Sequence, residues 1–528
     1  MKKFLFLSLL VSLTFYSKNI DAQQDSVIQK IIEIGRTDNQ TMNHLDILTN
    51  RIGGRPIGSA NYETAVVWAA QKFQEWGMDV TLHETGVLPI GFNRGPWFGR
   101  VLDENGMTLH FATPSYTVGT KGPQRGHVLI EPKTRKEFER MKGKLKGAWV
   151  LVSGKSTGWP IDFSEESSLK RDSIILLNEE IEKKNDEIRR ENWMNRKNGT
   201  QKELLPMNEE PGLFYKQMVD AGILGIIQSS PVPITALYDR KNIETMNWNN
   251  LPKIPDIKLD EHQYSVIEQM TKERRYFQLE FDIRNYFRPG PIPFHTVIGI
   301  IKGTDYPNEY VIMGGHLDAF DVASGAVDDG SGVSPAMEAA RLIMKAGGKP
   351  KRTILVCLWS GEEFGLLGST GWIDDNKDKL DKISAMFNRD GGPTVPTSIS
   401  VPEAMYSDFE NICKPINGIN SAFPFEVKKS TPRPKPKTAG GTDASPFQMN
   451  GVPAFQFGTE DINGYDFSYG EIWHTERDTY DKCPADYMNH TSIVTAIIVY
   501  GTANLDHLLS RDGLFAPDEP EKTSKKKK

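Results

Sequence analysis

The sequence predicts an α/β fold: a three-layer α/β/α core on a mostly parallel mixed sheet, with a second, β-rich domain inserted into it. Three observations predict this. From about residue 294, apolar strand-like runs alternate with helical stretches closed by glycine, the pattern of strand–helix–strand units. Between about residues 97 and 290 the character changes to short β-type runs flanked by glycine, which sets that segment apart. Finally, 528 residues exceed one ordinary domain, and 38% hydrophobic with 10% aromatic content can fill real cores.

The chain opens with MKKFLFLSLLVSLTFYSKNIDAQQ, which has the form of a cleaved secretory signal (residues 1–22). Lys2 and Lys3 precede an apolar run that ends near Phe15, too short to cross a bilayer, and Ala22 offers a small residue for cleavage. The expected location is therefore secreted or periplasmic. No cysteine follows to carry a lipid, and no later segment reads as a membrane anchor. Removing residues 1–22 takes away three lysines and one aspartate and moves the net charge from −6 to −8. That acidic balance argues against a nucleic-acid partner. Cys357, Cys413 and Cys483 are too few for a disulfide scaffold. Cys357, inside TILVCLW, reads as a buried thiol, and a Cys413–Cys483 bridge stays open.

Residues 23–106 read as the first part of the core domain. VIQKIIEIGRTDNQTMNHLDILTNRIGGRP has helical spacing, GSANYETAVVWAAQKFQEWG is a second amphipathic helix stopped by Gly77, and MDVTLHE is strand-like. Residues 107–288 form the insert, with strands at KGAWVLVSG and AGILGIIQS. A highly charged helical stretch at about 170–205 reads as a solvated surface helix. Residues 289–512 complete the core: strands at YVIMGG, RTILVCLWS and ISAMFNRD, helices at GVSPAMEAARLIMKAGG and LLGSTGWIDD. KKSTPRPKPKTAGG is a basic, proline-rich surface loop, and 513–528, ending in EKTSKKKK, is a frayed, disordered basic tail.

In sheets of this kind ligands bind beyond the carboxyl ends of the strands. His316 and Asp318 follow YVIMGG, Glu362 and Glu363 follow ILVCLWSG, and Asp390 ends ISAMFNRD. Asp328 and Asp329 lie in GAVDDGSG, which opens the next helix. Singly, each signal is weak, since His-x-Asp and Glu-Glu pairs are common on surfaces. Together they bring carboxylates and imidazole to one sheet edge, an arrangement that is unfavourable without a cation. Carboxylate oxygen and imidazole nitrogen suit zinc. The ordered ligand spacing and terminal Glu of an EF-hand calcium loop are lacking. No Gly-x-Ser-x-Gly elbow follows a strand, which argues against a serine hydrolase.

GGHLDAF, GAVDDGSG, LWSGEEFGLLGS, FNRDGG and IWHTERDTYD resemble, in order and spacing, the motifs of the M28 family of co-catalytic zinc metallopeptidases. GKLKGAWVLVSG and MVDAGILGIIQSS are similar to the protease-associated (PA) domain often inserted in that family. LTNRIGGRPIGSANYETAVVWAAQKFQEWGMDV and AGGTDASPFQMNGVPAFQF are most like its carboxypeptidase Q branch. The resemblance covers nearly the whole mature chain, with the charged helix and the lysine tail as additions.

The resemblance implies two Zn2+ per chain, held by His316, Asp328, Glu363, Asp390 and His474. Asp328 bridges the ions, while His316 and Asp390 hold different ones, Glu363 or His474 completing the set of His316. Asp318 orients His316 and Glu362 is the general base. Tyr465 or Tyr469 donates to the oxyanion. Arg433 and Lys435, a few residues before TDASPF, are the cations expected to grip a substrate's free carboxylate. The implied activity is a secreted exopeptidase of aminopeptidase or dipeptidase type that hydrolyses short peptides or dipeptides with a metal-activated bridging water. A glutaminyl-peptide cyclase on a related single-zinc core, or a metal-free receptor or scaffold, are the alternatives. Side-chain preference stays open, and a homodimer is compatible with the sequence.

Overall fold

A computed structural model describes residues 26–103, 106–197, 199, 201–243 and 245–517. The expected signal and the end of the basic tail lie outside the described residues.

Helix α1 (Ala60–Glu75) starts where the Ser59 hydroxyl accepts the N–H of Tyr62, and it leads into strand β1 (Asp79–Leu102). The chain then builds β2 (Phe111–Ala112), β3 (Gln124–Ile130), β4 (Ala148–Lys155), helices α2 (Glu165–Met194) and α3 (Tyr215–Asp220), β5 (Gly225–Ser230) and β6 (Asp256–Asp260). It returns along β7 (Gln278–Ile301). β8 (Tyr306–His316), α4 (Ser331–Lys345), β9 (Arg352–Trp359), α5 (Leu367–Asp375) and β10 (Ile383–Asn388) follow. A small sheet of β11 (Val395–Val401), β12 (Glu426–Lys429) and β14 (Phe457–Glu460) flanks the core, β13 (Ala454–Phe455) pairs with β10, and α6 (Ala485–Ala503) closes it.

One 11-stranded sheet runs β13-β10-β8-β9-β7-β3-β4-β5-β6-β2, with β1 on β7. β13, β10, β8 and β9 are mutually parallel, as are β3 to β6. The sequence predicts short strands from about residue 97, but β1 and β7 each run 24 residues and pair antiparallel from Asp79↔Ile300 to Leu102↔Gln278. Each is sustained by the other across a separation no local pattern reports. β7 pairs with β9 through Val297–Ile301 and with β3 near Leu279, so the ribbon carries the chain out into the insert and back.

Alternation along the strands builds the layers. Val311, Met313, Ile354 and Val356 face α4 and α6, whereas Ile312, Leu355, Cys357 and Trp359 face Trp372, Ile373 and Phe447. The insert repeats this arrangement with its own cores: Trp149, Leu151 and Ile257 on one face, Val150, Ile175 and Met218 on the other.

The charged helix α2 is more than a solvated surface. Asn178 and Asn185 are buried, and each amide holds the backbone of the extended return segment in both directions. Asn178 binds N–H and C=O of Asn208, and Asn185 those of Leu205. Asn192 does the same at Lys202. Charge hid this face because the three asparagines recur only once every two turns. All three thiols are free and buried, Cys413 in the main core and Cys483 in a separate cluster, so no Cys413–Cys483 bridge forms. Within the expected frayed tail, the Ala516 N–H donates to the Arg433 carbonyl at 2.9 Å. No helix among the described residues is long and apolar enough to cross a membrane.

Candidate metal centre

β8, β9 and β10 are adjacent and parallel, so their carboxyl ends share one edge. His316 ends β8, the turn with Glu362 and Glu363 follows β9, and Asp390 follows β10. The loop into α4 brings Asp328, and the segment before α6 brings His474.

The His316 Nδ1–H donates to the Asp318 carbonyl oxygen at 2.9 Å. That engages Nδ1 with the backbone and leaves Nε2 to face the carboxylates. This Nε2 lies 3.0 Å from Asp328 Oδ1 and 3.9 Å from Asp390 Oδ1. The other Asp328 oxygen, Oδ2, is 3.2 Å from His474 Nε2, which is also 3.0 Å from Glu363 Oε2. Ligand atoms of His316, Glu362 and Asp390 lie within 4.8 Å of one another, as do those of His316, Asp328 and Glu363. His316 and Asp390 therefore approach each other because their strands are neighbours in the sheet, while His316 also shares a grouping with Asp328 and Glu363. His474 has φ of 60°, a left-handed conformation for a residue with a side chain, and its ring stacks on Trp473 at 3.9 Å.

Burial, and then the facing charges of Glu363, Asp390 and Asp443, push Glu362 up to about 10 against the pull of His316. Burial and Asp328 push Glu363 up to about 8. Burial opposes charge on His474, yet Glu363 and Asp328 raise it to about 10. Burial would also raise Asp328, but hydrogen bonds from both imidazoles hold it below the usual carboxylate range. The cluster thus holds protons that the same groups would release in water. A divalent cation among these oxygens and nitrogens would displace them, and Glu363 Oε1, buried without a hydrogen-bond donor, is a free ligand atom. The donor set fits zinc.

The Asp318 carboxylate does something its motif did not announce. Its oxygens accept the backbone N–H groups of Glu362 at 3.1 Å and Glu363 at 3.3 Å, so it holds the turn while its carbonyl orients His316. Asp329 is buried and accepts the His316 N–H at 3.1 Å. It fits because Gly315 and Gly332 have no side chains: a Cβ there would stand 2.2 and 2.5 Å from its carboxylate oxygens.

Three supporting residues escaped sequence reading. Asp478 accepts the N–H groups of Val327 at 2.6 Å and Asp328 at 3.3 Å. Buried Arg55 ties together the carbonyls of Leu317, Ser324 and Gly325. Asp443, wholly buried, accepts from Ser369, and burial pushes it up to about 7. Asp478 and Asp443 stand within stretches whose likeness was noted, IWHTERDTYD and TDASPF, but no spacing rule marks either.

Of the two tyrosines, Tyr469 faces the cluster. Burial, then Asp328 and Asp390, strongly raise its phenol. Tyr465 is exposed and its hydroxyl donates to Asp486 instead. Arg433 and Lys435 are exposed, with no ion-pair partner among the described residues. The backbone of that loop pairs with the C-terminal segment at Phe515.

The insert reaches this edge directly. Tyr238 stacks on Phe364, beside Glu363, at 4.1 Å between ring centroids, and on Phe320 at 5.9 Å. Two residues past His474, Glu476 exchanges hydrogen bonds with the insert: its N–H donates to the Ile234 carbonyl at 3.0 Å, and its Oε1 accepts the Ile234 N–H at 2.9 Å. Its other oxygen lies 2.7 Å from His110 Nε2.

Residues 296–499 match the family model described as Peptidase family M28. Over 503 residues, 92% of this chain and 91% of its relative, the sequence is 24% identical to carboxypeptidase Q of Xenopus laevis. Among solved structures, the peptidase M28 precursor of Shewanella amazonensis shares the fold with a TM-score of 0.56 at 20% identity, covering 95% of this chain and 100% of that one. BSAP, a zinc aminopeptidase from Bacillus subtilis, is similar at a TM-score of 0.50 and 15% identity, covering 90% and 98%.

Proposed function

Since residues 296–499 carry a peptidase family M28 domain, we propose that the protein is a zinc-dependent exopeptidase that removes terminal residues from short peptides or splits dipeptides. One observation carries this reading. The two oxygens of Asp328 face two different imidazoles, His316 at 3.0 Å and His474 at 3.2 Å. That supports a carboxylate shared by two cations, His316 with Asp390 on one side and His474 with Glu363 on the other. Relatives named carboxypeptidase Q and a neighbour named zinc aminopeptidase support the same class.

Bound there, the cations would supply Lewis acidity that polarises a scissile carbonyl and acidifies a water. The rest falls to the chain. Glu362 is the general base: it takes a proton from the attacking water and delivers it to the leaving nitrogen. Its carboxylate stands beside His316 and Asp390, where facing cations would keep it ionised and ready to accept that proton. The Tyr469 phenol donates to the carbonyl oxygen as it gains charge. Residues 107–288 are read as a PA-type domain whose Tyr238 packs on Phe364 beside the ligands, and with the expected signal at 1–22 the protein works outside the cytoplasm.

Purified protein incubated with free dipeptides, after chelation and again after zinc is restored, tests the proposal. Amino-acid release that stops on chelation and returns with zinc is expected. Cyclisation of N-terminal glutamine without hydrolysis would favour the cyclase alternative, and no turnover with metal bound would favour a scaffold.

A further inference from the structure

A cavity of about 270 Å³ lies in the insert between α2, α3 and the segment 249–253. Arg171, on α2, is only 5% exposed, yet it lines this cavity. Its Nε donates to the Pro211 carbonyl at 3.2 Å and its guanidinium sits 5.9 Å from the Tyr215 ring. Among the described residues, no group accepts a hydrogen bond from its four terminal N–H bonds. Glu210 and Asp162 are near enough to act on its charge, but neither pairs with it, and Glu210 is taken by Lys170. The terminal nitrogens of Arg171 are not sealed in but open onto the cavity, so a ligand there can take the bonds that the fold leaves unmade.

The rest of the lining says what that is. Leu213 and Leu251 supply an apolar wall, and Asp172 and Asp220 stand on the lining without an ion-pair partner among the described residues. A planar fork of donors matches a carboxylate through two parallel hydrogen bonds. The geometry points to a binding site for a free α-amino acid with an apolar side chain: carboxylate on Arg171, side chain against Leu213 and Leu251, ammonium toward Asp172 or Asp220. The site is separate from the metal centre and stands whether or not the peptidase reading holds. Lys216 and Lys253 also stand on the lining and would add to the pull on phosphate, but phosphate would leave the apolar wall and both aspartates unused.

Calorimetric titration of the full chain with L-leucine tests this, with leucinamide, N-acetyl-leucine and inorganic phosphate in parallel. Saturable binding of L-leucine is expected, weakened ~10-fold or more when the carboxylate is blocked as the amide. Arg171→Gln should weaken it by a similar factor. Leu251→Trp, which fills the cavity without touching Arg171, should abolish it, and dipeptide hydrolysis should persist in both variants. Leucine held at the metal centre as a product would bind both variants normally, and that outcome overturns the proposal. So would no binding by the unaltered chain, equal binding of leucinamide, or a response to phosphate alone.

Discussion

Asp318 Oδ1 accepts the backbone N–H of Glu362 at 3.1 Å. Through Oδ2 it also holds Glu363 at 3.3 Å, so one buried carboxylate sets the turn that aims two others. Asp318→Asn keeps one acceptor but turns an amide N–H toward the second backbone donor. The backbone carbonyl that orients His316 is untouched. We expect kcat/KM to fall ~10- to 100-fold, the range for groups that support metal ligands, with metal content nearly retained. Unchanged kinetics would mean the turn is held without Asp318.

The adjacent glutamates should separate. Glu362→Gln removes the base and should lower kcat by at least ~10²-fold with metal content near normal. Glu363→Gln replaces a ligand and should lose metal together with activity. Because Glu362 also lies within 4.8 Å of His316 and Asp390, metal analysis of both variants is the deciding measurement. Swapped phenotypes would reverse the two roles.

Stability of the chelated protein should fall as pH rises. Burial raises Glu363 to about 8, Asp478 to about 7 and Asp390 to about 6, and Glu363 with Asp328 raises His474 to about 10. The folded chain therefore holds protons that the unfolded chain releases. This stabilisation is complete below the unfolded pKa values and is lost as pH passes the folded ones. Asp328, whose pKa is lowered, acts oppositely but only in acid. Tm of the metal-free protein should drop between roughly pH 5 and 9, each titrating group contributing up to about 1.4 kcal/mol per pH unit. Added zinc should flatten the profile. A metal-free Tm that rises over this window would contradict the burial of these groups.

Glu476 clasps the insert to the His474 segment through Ile234 and His110. Glu476→Ala should loosen His474, raising the zinc concentration needed for half-occupancy of the weaker site by ~10-fold, as for other supporting groups. Glu476→Gln still accepts the Ile234 N–H and should recover part of the loss. Equal zinc affinity in all three proteins would show that the metal loop holds its shape unaided.

On α2, Asn185→Ala removes both hydrogen bonds to Leu205. Leaving those backbone groups unpaired costs roughly 1–3 kcal/mol, and the loss should stay local. Amide exchange at Leu205 should accelerate by ~10-fold or more, while dipeptide hydrolysis is unchanged.

Much of this molecule was legible in its sequence because local patterns carry it. The strands around Val311, Val356 and Met386 are apolar runs bounded by turn residues, and the rule that ligands gather beyond strand ends placed His316, Glu363 and Asp390 on one edge before any coordinates. His474 came from likeness to family motifs, since nothing local marks a single histidine in a loop.

Tertiary structure alone decided the pairings. Whether His316 meets Asp390 or Glu363 depends on which strands are neighbours, and strand order is set by contacts between segments scores of residues apart. The same holds for the β1–β7 ribbon, whose pairing partners are separated by the entire insert, and for Arg171, Asp443 and Asp478, ordinary polar residues until folding buries them. Sequence periodicity reports which face of an element is apolar. It does not report what the opposite face will meet, and the charges that matter in this protein are those whose partners arrive from elsewhere in the chain.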